Sequence, residues 1–218
     1  MSRPELIIFD CDGVLVDSED ITDRILAAAL TELGLSISPA ETRRQFLGPP
    51  LAQVVVDIES RLGRDLGADW IEEFEERRAE AFREELQPMS GAADVVAKLA
   101  GAGIAYCTAS QARLDSIRVK LEATGLAPLF ADATLFSAEQ VLRGKPWPDL
   151  FLYAAGAMGV EPMHCAVVED TTRGVAAAVA AGMRAFGLCS GGDVDDLVTA
   201  GAEPLASLWD LPSLVGAL

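Results

Sequence analysis

The chain has 218 residues, with 17 Lys or Arg against 34 Asp or Glu and one His, for a formal net charge of −17. Such a field repels phosphate polymers and anionic bilayers, so it excludes a protein whose main work is gripping nucleic acid or a membrane surface. It leaves open a small anionic substrate held by a few local cations.

Half of the residues are hydrophobic and 23% are charged, the balance of a globular fold. No apolar run reaches the ~18 residues of a membrane span, and the Ala-rich stretch after Gly174 meets Arg184 first. The opening segment from Met1 to Asp10 is too short and too acidic for a signal peptide, so the cytoplasm is the expected location. Cys11, Cys107, Cys165 and Cys189 lie far apart, which suits reduced, buried thiols.

The first strand is expected at Leu6 to Phe9. From Asp17 to Glu85 no convincing strand follows. Ile21 to Leu33 reads as a helix stopped by Gly34, and Ser38-Pro39-Ala40-Glu41 is a capping box with Pro at the first helical position. Leu51, Val54, Val55, Ile58 and Leu62 recur at helical spacing and stop at Gly63; a last helix opens near Asp69 and runs through Phe74 and Phe82. Beyond this insert, Val95, Val96 and Leu99 mark a helix ending at Gly101 and Gly103. Leu114, Ile117 and Leu121 mark another, ending at Gly125. Further strands are expected at Ile104 to Thr108, Ala133 to Phe136, Ala166 to Glu169 and Arg184 to Leu188. Continuous apolar runs alternating with helices imply a parallel sheet covered on both faces. The expected architecture is α/β: a Rossmann-like parallel-sheet core over residues 1–16 and 86–218, with an inserted all-helical cap over 17–85.

Four segments carry residues able to do chemistry. Phe9-Asp10-Cys11-Asp12-Gly13-Val14 ends the first strand. Ligands bind at the carboxyl ends of strands in open parallel sheets. One carboxylate there could attack an electrophile while the other handles the leaving-group proton. A carboxylate attacking a phosphoryl dianion meets like-charge repulsion, which calls for a hard cation with oxygen ligands, most simply Mg²⁺. The plainer reading is an acidic turn. Val167-Val168-Glu169-Asp170-Thr171 again brings acids to a strand end, where Asp170 or Thr171 could equally cap a helix. Gly144-Lys145-Pro146 offers a lone cation that could offset carboxylates or bind a phosphate oxygen; a surface lysine is the plain alternative. Cys107-Thr108-Ala109-Ser110-Gln111 offers hydroxyls and backbone N–H groups, or an ordinary helix cap at Ser110.

In this order, the four motifs resemble those of the haloacid dehalogenase-like (HAD) hydrolase superfamily, over essentially the whole chain. Asp10 through Glu19 matches the first motif of the phosphatase/beta-phosphoglucomutase-like branch, and Thr108 the second. Lys145 with Pro146, Pro148 and Asp149 matches the third; Glu169-Asp170-Thr171 with Gly174 and Ala181-Gly182-Met183 matches the fourth. The resemblance implies Asp10 as nucleophile and metal ligand. It implies Asp12 as general acid/base, with its backbone carbonyl on the metal. Asp170 would ligate Mg²⁺, with Glu169 a ligand or an acid just behind it. Thr108, Ala109 and Lys145 would hold the transferring phosphoryl group. The helical insert would be the family's C1 cap, and the substrate a small phosphate ester. A monomer is expected.

Within the family, Asp12 argues against halide displacement, and the absence of lysine from the cap argues against imine chemistry. Sugar-phosphate mutases of this branch use a cap histidine where this chain reads Asp20-Ile21-Thr22, so a phosphatase is preferred and a beta-phosphoglucomutase-like activity is the alternative. Arg43, Arg44 and Arg77 are candidate substrate cations on the cap, although each could be a helix-face arginine paired to Glu. Two rivals remain. One is a hydrolase using Cys189 in Gly187-Leu188-Cys189-Ser190-Gly191 with His164. The other is a non-catalytic binding protein on the same fold.

Overall fold

The computed structural model describes residues 3–46, 49–189 and 194–217. Met1 and Ser2, where the reading of the opening segment starts, lie outside the described residues, as do Ser190 and Gly191 of the Cys189 segment. The chain divides into two compact units, Met1–Asp17 with Gln87–Leu218, and Ser18–Leu86.

The strands of the first unit are β1 (Leu6–Phe9), β2 (Ala105–Ser110), β3 (Leu135–Ser137), β4 (Cys165–Glu169), β5 (Arg184–Leu188) and β6 (Glu203–Leu205). They form one parallel sheet in the order β3-β2-β1-β4-β5-β6. Every residue of β1 and β4 is buried, which explains their unbroken apolar runs. The order reverses direction between β1 and β4, and the crevice beyond their carboxyl ends is where doubly wound sheets bind ligands.

The second unit is helical: α1 (Glu19–Glu32), α2 (Pro39–Phe46), α3 (Leu51–Leu62) and α4 (Gly67–Glu85). It has its own core of Leu26, Leu30, Phe46, Val54, Ile58 and Phe74. The expected capping box is present: the Ser38 N–H donates to Glu41 Oε2 at 3.0 Å, and the Glu41 N–H to Ser38 Oγ at 3.3 Å. Helix α1 starts earlier than expected, because Glu19 and Asp20 suit the positive end of a helix.

In the first unit, α5 (Ala92–Gly101), α6 (Leu114–Ala123), α7 (Asp149–Ala157), α8 (Thr172–Ala180), α9 (Val194–Thr199) and α10 (Leu211–Leu214) complete the fold. Leu150, Phe151, Val175 and Ala178 of α7 and α8 pack with Leu6, Ile8 and Val167 of the sheet in one buried cluster. The expected strands differ from β2, β3 and β4 in their bounds, and β6 was not expected. The third strand begins at Leu135 because Asp132–Thr134 is a 3₁₀ turn. β6 carries Pro204 in a three-residue run, a composition that hides an edge strand from the sequence. Among the described residues, no helix is long and apolar enough to cross a membrane.

Candidate active site

The site grows from the sheet register. Phe9 of β1 is level with Thr108 of β2 on one side and Val168 of β4 on the other. One residue further, the Asp10 N–H donates to the Val168 carbonyl at 2.9 Å, which holds Asp10 at the end of the ladder beside Glu169. The chain then turns sharply. Gly13 adopts φ 72°, Leu15 and Val16 both donate to the Cys11 carbonyl, and the Gly13 N–H donates to Val16. A Cβ at Gly13 would stand 1.9 Å from Asp170 Oδ2, so only glycine lets this turn meet the end of β4.

Lys145 ties the two strand ends together. Its Nζ lies 2.8 Å from Asp10 Oδ1 and 2.5 Å from Glu169 Oε1, and the side chain is 3% exposed. Burial works to depress the lysine pKa, but the two carboxylates outweigh it and hold the group above its ordinary value. The loop is fixed in turn by Gln111, whose Oε1 accepts the Lys145 N–H at 3.0 Å, and by Arg173, whose Nη2 donates to the Lys145 carbonyl at 2.7 Å. The other oxygen of Glu169 accepts the N–H groups of Asp170 and Thr171 and the Thr171 hydroxyl. Burial pushes the Asp10 carboxyl up to about 7; Lys145 opposes this, while Glu169 and Asp12 add to it. Burial likewise pushes the Cys11 thiol far above the usual range, which makes it packing rather than a nucleophile.

Side-chain oxygens of Asp10, Glu169 and Asp170 lie within 4.8 Å of one another. An all-oxygen set of this kind fits a hard divalent cation. The charges agree: four carboxylates (Asp10, Asp12, Glu169, Asp170) face two ammonium groups, and a divalent ion would balance the remainder. The Asp12 carboxylate itself is turned to Lys120, so any contribution from Asp12 to the cation falls to its backbone carbonyl.

Other expectations divide. Thr108 Oγ1 is buried and finds no hydrogen-bond partner, the mark of a group waiting for a ligand oxygen. Ala109 is fully buried beside it in β2 and offers only backbone. Thr171 caps α8 by accepting the Gly174 N–H, whereas Asp170 does not serve as the cap. The alternative of a helix cap at Ser110 does not hold: Ser110 ends β2, its hydroxyl accepts the Ala112 N–H, and α6 begins only after Arg113. Within the helical unit, Arg43 is held by Asp23 and Asp20, each at 2.6 Å, and Arg77 by Glu32 and Glu73. Both are thus committed to helix-face ion pairs, and the charge of Arg44 acts on Glu41 of the same helix. The Cys189–His164 pairing is overturned by topology. His164 precedes the start of β4 and meets Glu5, whereas Cys189 follows the far end of β5. Gly187 is level with Glu169, so roughly 16 Å of strand lies between that level and His164.

Gly174 makes a second close approach: a Cβ there would lie 1.9 Å from the Glu169 carboxylate. Gly174→Ala is expected to lower stability by about 1–3 kcal/mol through overpacking. Because Gly→Ala in a helix otherwise stabilises, an unchanged or raised unfolding midpoint would contradict this contact.

The doubly wound sheet thus gathers acids from two strand ends, a buried lysine that bridges them and the Thr108 hydroxyl. A family model described as haloacid dehalogenase-like hydrolase matches residues 4–182, and the chain belongs to that family. It is 30% identical over 215 residues to the 6-phosphogluconate phosphatase of Escherichia coli K12, covering 98% of this chain and 96% of that protein. It is 34% identical over 193 residues to hexitol phosphatase B of the same organism, covering 85% of each. The crystal structure of a HAD family hydrolase from Deinococcus radiodurans, with bound phosphate and sodium, is 30% identical, with a TM-score of 0.79 over 100% of this chain and 97% of that one.

Proposed function

We propose that this protein is a Mg²⁺-dependent phosphatase of a small phosphorylated metabolite, of sugar-phosphate or phospho-acid type, acting through an aspartyl-phosphate on Asp10. The observation that carries this reading is the pair of carboxylates at the end of β1, each held by a different lysine: Asp10 by Lys145 and Asp12 by Lys120. Two acids two residues apart, in separate environments, suit separate roles.

In the first step an Asp10 oxygen attacks phosphorus and the ester P–O bond breaks. Protonated Asp12 gives its proton to the departing alkoxide and becomes a carboxylate. In the second step water attacks the phosphoryl group and its proton passes to Asp12, while the bond to Asp10 breaks and releases phosphate. The proton lent in the first step is thereby regained in the second. Lys145 and the Thr108 hydroxyl neutralise and orient phosphoryl oxygens. Mg²⁺, held by Asp10, Asp170 and the carbonyl of Asp12 with Glu169 beside them, would supply charge neutralisation. The helical unit takes the part of the substrate-selecting cap. The relatives acting on 6-phosphogluconate and on hexitol phosphates favour polyol and sugar-acid phosphates as substrates.

The test is phosphate release from p-nitrophenyl phosphate and a panel of sugar, polyol and sugar-acid phosphates, with and without chelator. Release that needs Mg²⁺ and survives Cys189→Ser is expected. Full activity in chelator overturns the metal role, and no release from any ester overturns the reading. Conversion of a sugar phosphate to its isomer would establish the mutase, although the one histidine of the chain sits at the start of β4, on Glu5.

A pH dependence follows from Asp10. A cation needs its carboxylate form, so below about pH 7 protons compete with Mg²⁺. The apparent Mg²⁺ affinity is expected to fall about tenfold per pH unit on the acid side. Titration calorimetry at several pH values checks this; a flat affinity contradicts it.

A further inference from the structure

Lys120 belongs to none of the four motifs, yet it is one of the most deeply buried large side chains of the protein. It lies in α6 between Ile117 and Leu121, both buried, and its own side chain is 2% exposed. From there it crosses to the turn after β1, where its Nζ lies 2.5 Å from Asp12 Oδ1 and 2.8 Å from Asp12 Oδ2. The two residues are 108 positions apart in sequence.

Stability does not explain this pair. An ammonium in a helix–sheet interface is costly to desolvate, and an apolar side chain of the same length is usually as good or better there. Asp12 is not itself a buried charge in need of rescue, since a third of its side chain (33%) is exposed. What the contact does provide is a fixed carboxylate. One nitrogen on both oxygens sets the direction in which the Asp12 side chain points, and the nitrogen comes from a helix anchored in the core.

We propose that Lys120 is a positioning residue for Asp12, holding the carboxyl group in place from a helix of the core while that group exchanges a proton with the leaving group and then with water. This inference rests on the reading of Asp12 as the acid/base of a phosphatase, and it adds a residue that acts through Asp12 rather than touching the substrate. The proton balance is that of the two steps above: Asp12 ends as it began, and Lys120 takes no part in the transfer.

The leaving group provides the readout. p-Nitrophenolate departs without a proton, whereas an alkoxide needs one, so a misplaced acid slows alkyl esters selectively. Lys120→Met and Lys120→Arg are assayed on p-nitrophenyl phosphate and on the alkyl phosphate that the wild type hydrolyses fastest, with thermal melts alongside. Lys120→Met is expected to lower kcat on the alkyl ester by about 10²-fold and on the aryl ester by less than about tenfold. Lys120→Arg should recover most of that difference. In an Asp12→Asn background, adding Lys120→Met should leave the alkyl-to-aryl ratio unchanged, because the two residues act as one unit. An equal loss on both esters, or a further shift in the Asp12→Asn background, overturns the proposal. If Lys120→Met does not fold, Lys120→Gln is judged on the same substrates by the same criteria. A wild type that hydrolyses no alkyl phosphate would defeat the phosphatase reading itself, a result distinct from either of these.

Discussion

Asp10→Asn protein is expected to fold as the wild type does and to lose phosphoester turnover by at least about 10⁴-fold. The amide keeps an oxygen where Lys145 now binds, and the lysine retains its 2.5 Å contact with Glu169. Removing one carboxylate from a cluster in which Glu169 and Asp12 both oppose its ionisation costs the fold little. Chemistry is another matter, since an amide oxygen is a poor nucleophile and cannot form the aspartyl-phosphate. Steady-state assay beside a thermal melt separates the two effects. Residual activity within tenfold of the wild type would remove Asp10 from the nucleophile's role.

Lys145→Met is expected to do the opposite to stability. Its partners are both buried, Asp10 at 7% and Glu169 at 0% exposure, so neither can turn to water when the ammonium goes. Breaking a buried pair from one side costs about 3–5 kcal/mol, which corresponds to an unfolding midpoint lower by on the order of ten degrees. The loss should depend on pH. The Asp10 carboxyl is raised, from 3.8 to about 7, so ionising it already costs the fold stability as pH rises through that range. Without Lys145 to hold it down, the carboxyl moves higher still. The gap between variant and wild type should therefore widen as the pH rises above 7, where the wild type ionises Asp10 and the variant resists it, and level off below 7, where both hold the proton. Equal melts at pH 8 would contradict the network.

Much of this was readable in advance, for a physical reason. Strands buried on both faces hold few polar residues, so Leu6 to Phe9 and Ala166 to Val168 stand out as apolar runs, and the acids at their ends stand out by contrast. Asp10, Asp12, Thr108, Lys145, Glu169 and Asp170 all lie at or beyond the carboxyl edge of the sheet or on the loop that reaches it. Lys120 was invisible because a lysine beside Ile117 and Leu121 reads as the polar border of an apolar stripe; only the packing of α6 shows where it points. Its place within three residues of Ile117 was the one available hint. Gln111 and Arg173 act through the Lys145 backbone, and no side-chain pattern announces such a contact. The arginines of the helical unit were ambiguous because ion pairing depends on which acids face them across helices, as Arg77 and Glu32 do from α4 and α1.

The strand order also bears on how the polypeptide emerges from the ribosome. β1 is made first, yet its neighbours β2 and β4 begin at Ala105 and Cys165. At about 5–20 residues per second, Leu-Ile-Ile-Phe waits on the order of ten seconds for its first partner. The residues made in that interval, Ser18–Leu86, hold an apolar cluster of their own and form local helices that need no distant strand. Inserting the helical segment directly after the central strand thus gives the nascent chain something that can fold early. The strand that leads to Asp10 is left as the sticky segment that waits longest for its first partner.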